Sequence, residues 1–225
     1  MGGNALRAAV LGANDGLVSN LSLVMGVAGA ALAGATIVLT GLAGLIAGGI
    51  SMALGEWLSV NSSRELYQHQ IAIEKTELES MPEEEAEELA LIYEAKGLDE
   101  GTAKRLSSQM VVNQANALDT LAREELGIDP ESLGGSAWQA AATSFLLFTT
   151  GAIVPVVPFI VLSGTAALVI SILASSVMLF AIGAVITVFT GRPVLSTGIR
   201  QIVFGLAAAT VTFGVGHLFR VFFGV

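Results

Sequence analysis

Apolar positions in this chain fall into two long blocks separated by a polar one. The first block runs from about Ala8 to Val60 and breaks near Ala33-Gly34 into two stretches. Each is long enough to cross roughly 30 Å of hydrocarbon at about 1.5 Å of rise per residue. The second block runs from about Trp138 to Val225, with Pro155 and Pro158 marking one break and Arg192-Pro193 another. That division gives further stretches near 138–160, 163–190 and 198–222. The pattern predicts an all-α membrane protein with five transmembrane helices. A cleavable signal peptide does not fit, because the first apolar stretch is too long and contains Asp15.

The polar block, residues 61–137, reads as helices. No Gly or Pro interrupts the chain between Val60 and Glu79, so the second span is expected to continue as one long helix. Ser80-Met81-Pro82-Glu83 resembles a helix start, with a Ser cap, Pro in the first turn and acids near the positive dipole end. Lys96-Gly97 resembles its end. The apolar face of that helix is Ala86, Leu89, Ile92 and Tyr93. A further helical stretch, broken near Asn113–Asn116, ends at Leu126-Gly127. The expected organisation is residues 1–60 as transmembrane helices one and two, 61–137 as a small cytoplasmic acidic helical domain, and 138–225 as transmembrane helices three to five.

Charge sharpens this division. Only 13% of the 225 residues are charged, yet the net charge is −9, where a soluble domain carries about 25% charged residues. The segment 61–137 holds 17 of the 19 acids and 6 of the 10 bases, a balance of −11. An acidic chain of this kind disfavours nucleic acid and favours cations as partners. With five spans and the amino terminus inside, 9 of the 10 bases lie on the inner side and only Arg220 outside. The positive-inside rule then puts the acidic insert in the cytoplasm. The absence of Cys excludes disulfides, thiolate zinc sites and a cysteine nucleophile.

Three groups of residues could carry chemistry. Asp15 lies within the first span, where a carboxylate costs about 2.5–3.5 kcal/mol on insertion scales and marks an ion or proton path by default. The structural alternative is a protonated Asp bonded to a neighbouring helix. Met52 and Glu56, at i and i+4, share a face of the second span. A thioether with a carboxylate suits a borderline metal such as Fe²⁺, although Met is also an ordinary core filler. In the insert, Glu74 and Glu77 are i, i+3, Glu85 and Glu88 repeat the spacing, and Glu124-Glu125 close the segment. Each pair repels unless a cation bridges it, and carboxylates suit Mg²⁺, Mn²⁺, Ca²⁺ or Fe²⁺. The alternative is a solvated acidic face. His69 is a possible auxiliary ligand and His217 stands alone. No nucleophile–base pair or phosphate loop is visible, so no enzyme activity is expected. Gly12-x-x-x-Gly16 and Gly44-x-x-x-Gly48 allow close helix approach and are read as a place where two copies could meet.

Two stretches carry a family resemblance. Asp15-Gly16-Leu17-Val18-Ser19-Asn20 and Ser51-Met52-Ala53-Leu54-Gly55-Glu56-Trp57-Leu58-Ser59-Val60 resemble the first- and second-span signatures of the vacuolar iron transporter (VIT) family. The resemblance covers essentially the whole chain, including an acidic helical insert after the second span. It implies a homodimer of five-span subunits that moves Fe²⁺, often also Mn²⁺, out of the cytoplasm in exchange for protons. On that likeness Asp15 and Met52 match intramembrane path residues, and Glu74, Glu77, Glu85, Glu88 and Glu125 match ligands of the cytoplasmic metal-binding domain. Where some members carry a Met pair before the last Glu, this chain has Leu121 and Ala122. A ferritin-like amino-terminal extension is also missing, so no ferroxidase chemistry is expected.

The reading is therefore a proton-coupled divalent-metal exporter with Asp15, Met52 and Glu56 along the path. No cofactor is permanently bound, and the lipid membrane, metal ions, protons and a second copy are the partners. The short, bacterial-like amino terminus makes the cell (inner) membrane the expected location. The competing reading is a membrane-anchored metal buffer or sensor without transport.

Overall fold

A computed structural model describes residues 2–112, 114–133 and 135–224, with side-chain surroundings for all of these but 2–9, 114, 115, 132 and 189. The described residues form helices and connecting turns, without strands. In chain order the helices are α1 (Gly2–Gly29), α2 (Gly34–Ser80), α3 (Pro82–Ala95), α4 (Glu100–Val111) and α5 (Gln114–Glu124). After a 3₁₀ turn at Pro130–Ser132 come α6 (Ala137–Ile153), α7 (Val157–Val161), α8 (Gly164–Thr190) and α9 (Val194–Phe223). The chain divides into two compact units: Met1–Trp57 with Trp138–Val225, and Leu58–Ala137. Helix α2 supplies residues to both.

Among the described residues four helices are long and apolar enough to cross a membrane: α1 over Val10–Gly29, α2, α8 over Gly164–Val188, and α9. The stretch expected as the third span is two helices. Helix α6 has 17 residues, about 26 Å of rise, just short of roughly 30 Å of hydrocarbon. The break has a local cause. Pro155 has no N–H to donate to Gly151, and the Val156 N–H turns to the Ile153 carbonyl at 3.0 Å instead of continuing the helical ladder. The chain resumes as the short α7 and stops at Leu162.

Small residues bring α1 against its neighbours at both ends. A Cβ on Gly16 would stand 2.1 Å from the Phe148 carbonyl oxygen of α6, and one on Gly151 of α6 would stand 2.0 Å from the Ala13 oxygen of α1. At the other end Gly29 meets the Phe213 oxygen of α9 and Gly216 meets the Gly26 oxygen, at 2.2 and 1.9 Å by the same measure. These reciprocal contacts place Cα–H groups directly on carbonyl oxygens. They also correct the reading of the Gly-x-x-x-Gly pairs as a meeting place for two copies. Gly12 and Gly16 face Met52, Leu147 and Phe148 of the same chain, and Gly44 and Gly48 face Asn20, Leu23 and Phe148. Gly16→Ala is accordingly expected to destabilise the unit by about 1–3 kcal/mol, since the clash is with backbone. Gly55→Ala, with nothing within 4 Å, is expected to be neutral. Thermal unfolding of the two purified variants checks the contrast.

In the second unit the expected ends of α3 are found with one difference. Lys96 caps the helix and Gly97 follows at φ +102°, as a left-handed terminator requires. The N-cap, however, is Met81 without a side-chain bond. The Ser80 hydroxyl instead donates back to the Thr76 carbonyl at 2.7 Å, because α2 runs unbroken to Ser80 and keeps that side chain in its own last turn. Helix α4 is capped by Asp99, whose carboxylate accepts from the Thr102 N–H at 3.0 Å. The expected break near Asn113–Asn116 falls between α4 and α5, with Asn113 itself outside the described residues. The unit closes on a core of Leu78, Leu89, Val111, Ala117 and Leu121, edged by Ala86 and Tyr93 among others.

Candidate metal centre

Three core leucines determine where the insert's glutamates go. Glu74 lies one turn before Leu78, Glu85 one turn before Leu89, and Glu125 one turn after Leu121. Residues four apart share a helix face, so packing these leucines together carries the three carboxylates into one place. Glu74, Glu85 and Glu125 each present a carboxylate oxygen, and the three oxygens all lie within 4.8 Å of one another. Glu74 and Glu85 are buried, at 3% and 5% exposure, while Glu125 is open to solvent. Glu74 Oε1 and Glu85 Oε2 are buried without a hydrogen-bond partner.

Three carboxylates this close cannot all ionise without compensation. Burial, a hydrogen bond with Glu85, and the charges of Glu125, Glu85 and Glu77 push the Glu74 carboxyl up to about 8. Glu85 is raised too, first by burial and then by Glu88 and Glu77, against the lowering effect of its bond with Glu74. Glu125 is raised by burial and by Glu88, Glu85 and Glu77. The metal-free cluster therefore keeps a proton on Glu74 near neutral pH. A divalent cation could replace that proton and satisfy the orphaned oxygens. The donor set is all oxygen, which suits hard or borderline divalent cations.

The predicted i, i+3 pairs are split by this geometry. One member of each pair converges; the other, half-buried Glu77 or exposed Glu88, acts on the cluster through its charge. Glu83, Glu84 and Glu87 are exposed, as expected for a solvated face. Leu121 and Ala122 are fully buried, so the two positions before Arg123 fill the core and offer no donor. His69 is exposed and stands outside the cluster.

Glu125 is the one member beyond a helix end, and ion pairs bracket it. On one side Lys96, capping α3, pairs with Glu124 and lies 5.8 Å from the Tyr93 ring centre. On the other, Arg123 bridges Asp119 at 3.0 Å and Asp129 at 2.8 Å. The Ile128 N–H then donates to the Ala122 carbonyl at 2.8 Å, past Gly127 at φ +66°. Exposed pairs of this kind are each worth about 0–1 kcal/mol; their effect here is to fix a turn. The sequence marked Lys96 only as a helix end and did not mark Arg123.

In the first unit Asp15 is exposed on the surface of α1, and the Ser19 hydroxyl donates to its main-chain carbonyl rather than to its carboxylate. Met52 is half-buried, with its Sδ and Cε 3.8 and 3.4 Å from where a Cβ on Gly12 would stand, one turn from Asp15. Glu56 is half-buried one turn further along α2. Asn14 accepts from Gln201 Nε2 of α9 at 3.4 Å. His217 is exposed.

The VIT family pattern matches residues 6–217 of this chain. The chain belongs to the VIT family. It is 34% identical over 214 residues to a vacuolar iron transporter of Acanthamoeba castellanii, covering 95% of this chain and 78% of that protein. Vacuolar iron transporter 1 of Oryza sativa subsp. japonica is 31% identical, over 95% of this chain and 84% of its own length. Vacuolar iron transporter 1 of Arabidopsis thaliana is 28% identical, over 94% of this chain and 84% of its own. VIT family members are transporters, not enzymes, in keeping with a sequence that shows no nucleophile–base pair.

Proposed function

We propose that the protein is a proton-coupled transporter that carries divalent metal, Fe²⁺ and with it Mn²⁺, out of the cytoplasm. The observation that carries this reading is the convergence of Glu74, Glu85 and Glu125, with two orphaned buried oxygens, in a chain that also has helices long enough to cross a membrane. The names of its relatives supply the metal: three of them are called vacuolar iron transporters. The insert gathers cations at Glu74, Glu85 and Glu125, with Glu77 and Glu88 adding charge and, as the site loads, further oxygens. Metal then passes Glu56 and Met52 to Asp15, which alternates between metal and proton.

In this reading α6 and α7 together make the third of five crossings, and the insert faces the cytoplasm beside most of the bases. The Trp57–Trp138 pair, with ring centres 6.0 Å apart, suits the inner membrane–water boundary. An acid exposed on a single chain's apolar surface needs a cover. A second copy packed on α1 supplies it and makes the path a dimer property. A cell (inner) membrane is the proposed location.

The test is Fe²⁺ uptake and proton counterflow in liposomes holding the full chain, each followed by its own dye. Metal-driven proton flux is the expected result. Metal binding without flux would leave a membrane-anchored buffer. A second outcome concerns the insert: Glu85→Gln with Glu125→Gln is expected to raise the half-saturating Fe²⁺ concentration about tenfold or more, with the maximal rate little changed. Initial rates against Fe²⁺ concentration separate the two effects.

A further inference from the structure

The break between α6 and α7 frees main-chain carbonyls from the helical ladder, and two of them are answered from other helices. The Val156 N–H turns to Ile153, leaving the Ala152 oxygen without its helical donor, and the Phe159 N–H turns to Val156, leaving the Pro155 oxygen likewise. Side chains from other helices replace both donors. Asn20 Nδ2 of α1 donates to the Ala152 oxygen at 2.6 Å, and the Ser171 hydroxyl of α8 donates to the Pro155 oxygen at 2.8 Å. Asn20 Nδ2 also donates to the Gly41 oxygen of α2 at 3.1 Å. One amide thus ties α1, α2 and the broken end of α6.

That amide is only half used. Asn20 is 2% exposed and its Oδ1 is buried without a partner. It fits because α2 has glycine opposite: a Cβ on Gly44 would stand 2.7 Å from Oδ1. Interhelical hydrogen bonds in membranes add little stability on average, and an orphaned acceptor subtracts from it. The arrangement is therefore a poor stabiliser but a strict ruler. It fixes α1 five residues past Asp15 to α2 eleven residues before Met52, and to α6 at its break.

We propose that Asn20 is a positioning residue for transport: it holds the Asp15-bearing part of α1 in register with α2 and the end of α6, without itself touching the cargo. The proposal rests on the transport reading above. Ser171 serves as the internal contrast, because it closes the other freed carbonyl from α8 and is bonded there to neither α1 nor α2.

The experiment compares Fe²⁺ uptake by liposomes holding full-length wild type, Asn20→Leu, Asn20→Ser and Ser171→Ala, with rates normalised to monodisperse protein. Asn20→Leu is expected to lower the maximal rate about tenfold or more at an unchanged half-saturating Fe²⁺ concentration, since small misplacements of a reacting group cost rate rather than binding. Asn20→Ser, which keeps one donor, is expected to fall between. Ser171→Ala is expected to keep the wild-type rate even where its melting temperature drops. A purely structural role predicts the opposite pattern: both sites lower stability alike and neither changes the rate per folded protein. Asn20→Leu within twofold of wild type overturns the proposal; should that variant not fold, a wild-type rate in Asn20→Ser does the same. Absence of flux in wild type overturns the transport reading itself, and is thereby distinct from normal flux in an Asn20 variant.

Discussion

Asp15→Asn is expected to reduce Fe²⁺ flux by about a hundredfold or more while leaving metal capture by the insert intact. The side chain is isosteric, so α1 keeps its packing, including the Gly16 contact with Phe148 next in the chain. What changes is charge. A carboxylate within a span costs about 2.5–3.5 kcal/mol even on lenient scales, so its retention needs an offset. In the single chain it is exposed, its own main-chain oxygen takes the Ser19 hydroxyl, and no ion pair to it is found among the described residues. A cation arriving from the Met52 side is the offset the proposed path supplies. An amide offers one neutral oxygen and cannot exchange a proton for a metal, so both halves of the coupling fail together. The measurement is paired: Fe²⁺ uptake in liposomes, and Fe²⁺ binding to the same purified variant by calorimetry. Retained flux in Asp15→Asn would move the path elsewhere. Loss of binding together with flux would show a folding defect instead.

Much of the architecture was readable because long helices obey one rule at a time. The unbroken run to Ser80 had no Gly or Pro past Val60, and α2 follows it. The end of α3 at Lys96-Gly97 was written in its terminator. The stretch expected as the third span was harder. Pro155 and Pro158 were visible, but whether a proline ends a crossing or breaks it depends on donors from distant helices, here Asn20 and Ser171. The glycine pairs misled for a related reason. Their spacing says that something packs closely there, and only the fold says that the partners are α1, α2 and α6 of the same chain.

The glutamates show the same boundary between local and tertiary information. Spacing of three marked the pairs 74/77 and 85/88 but could not rank their members. The ranking lay in a second register, the four-residue step from each converging Glu to a core leucine at 78, 89 or 121. That signal was present in the sequence and needed only the core assignment to be read.

Metal capture by the insert is expected to strengthen steeply with pH and to release protons. Glu74 is pushed up to about 8, chiefly by burial and then by its bond with Glu85, so near pH 7 the empty cluster holds a proton there. A divalent cation requires the carboxylate form, and binding must expel that proton. One displaced proton makes the dissociation constant fall about tenfold per pH unit below the Glu74 value, flattening above about pH 8. Calorimetry of Mn²⁺ binding to the full-length protein in two buffers of different ionisation enthalpy counts the protons directly. Glu74→Gln removes the titrating group: binding weakens and its pH slope flattens. The empty protein has the opposite dependence. A carboxyl whose value rises from 4.5 unfolded to about 8 folded favours the fold fully below the lower value. That contribution is lost as pH rises through the upper one, on the order of a few kcal/mol. Hydrogen-exchange protection in α3 and α5, corrected for intrinsic rates, should therefore fall between about pH 4.5 and about pH 8 without metal and be restored by Mn²⁺. Protection that is flat with pH, or binding with no proton release, would mean that the three carboxylates are already separated by solvent and do not act as one site.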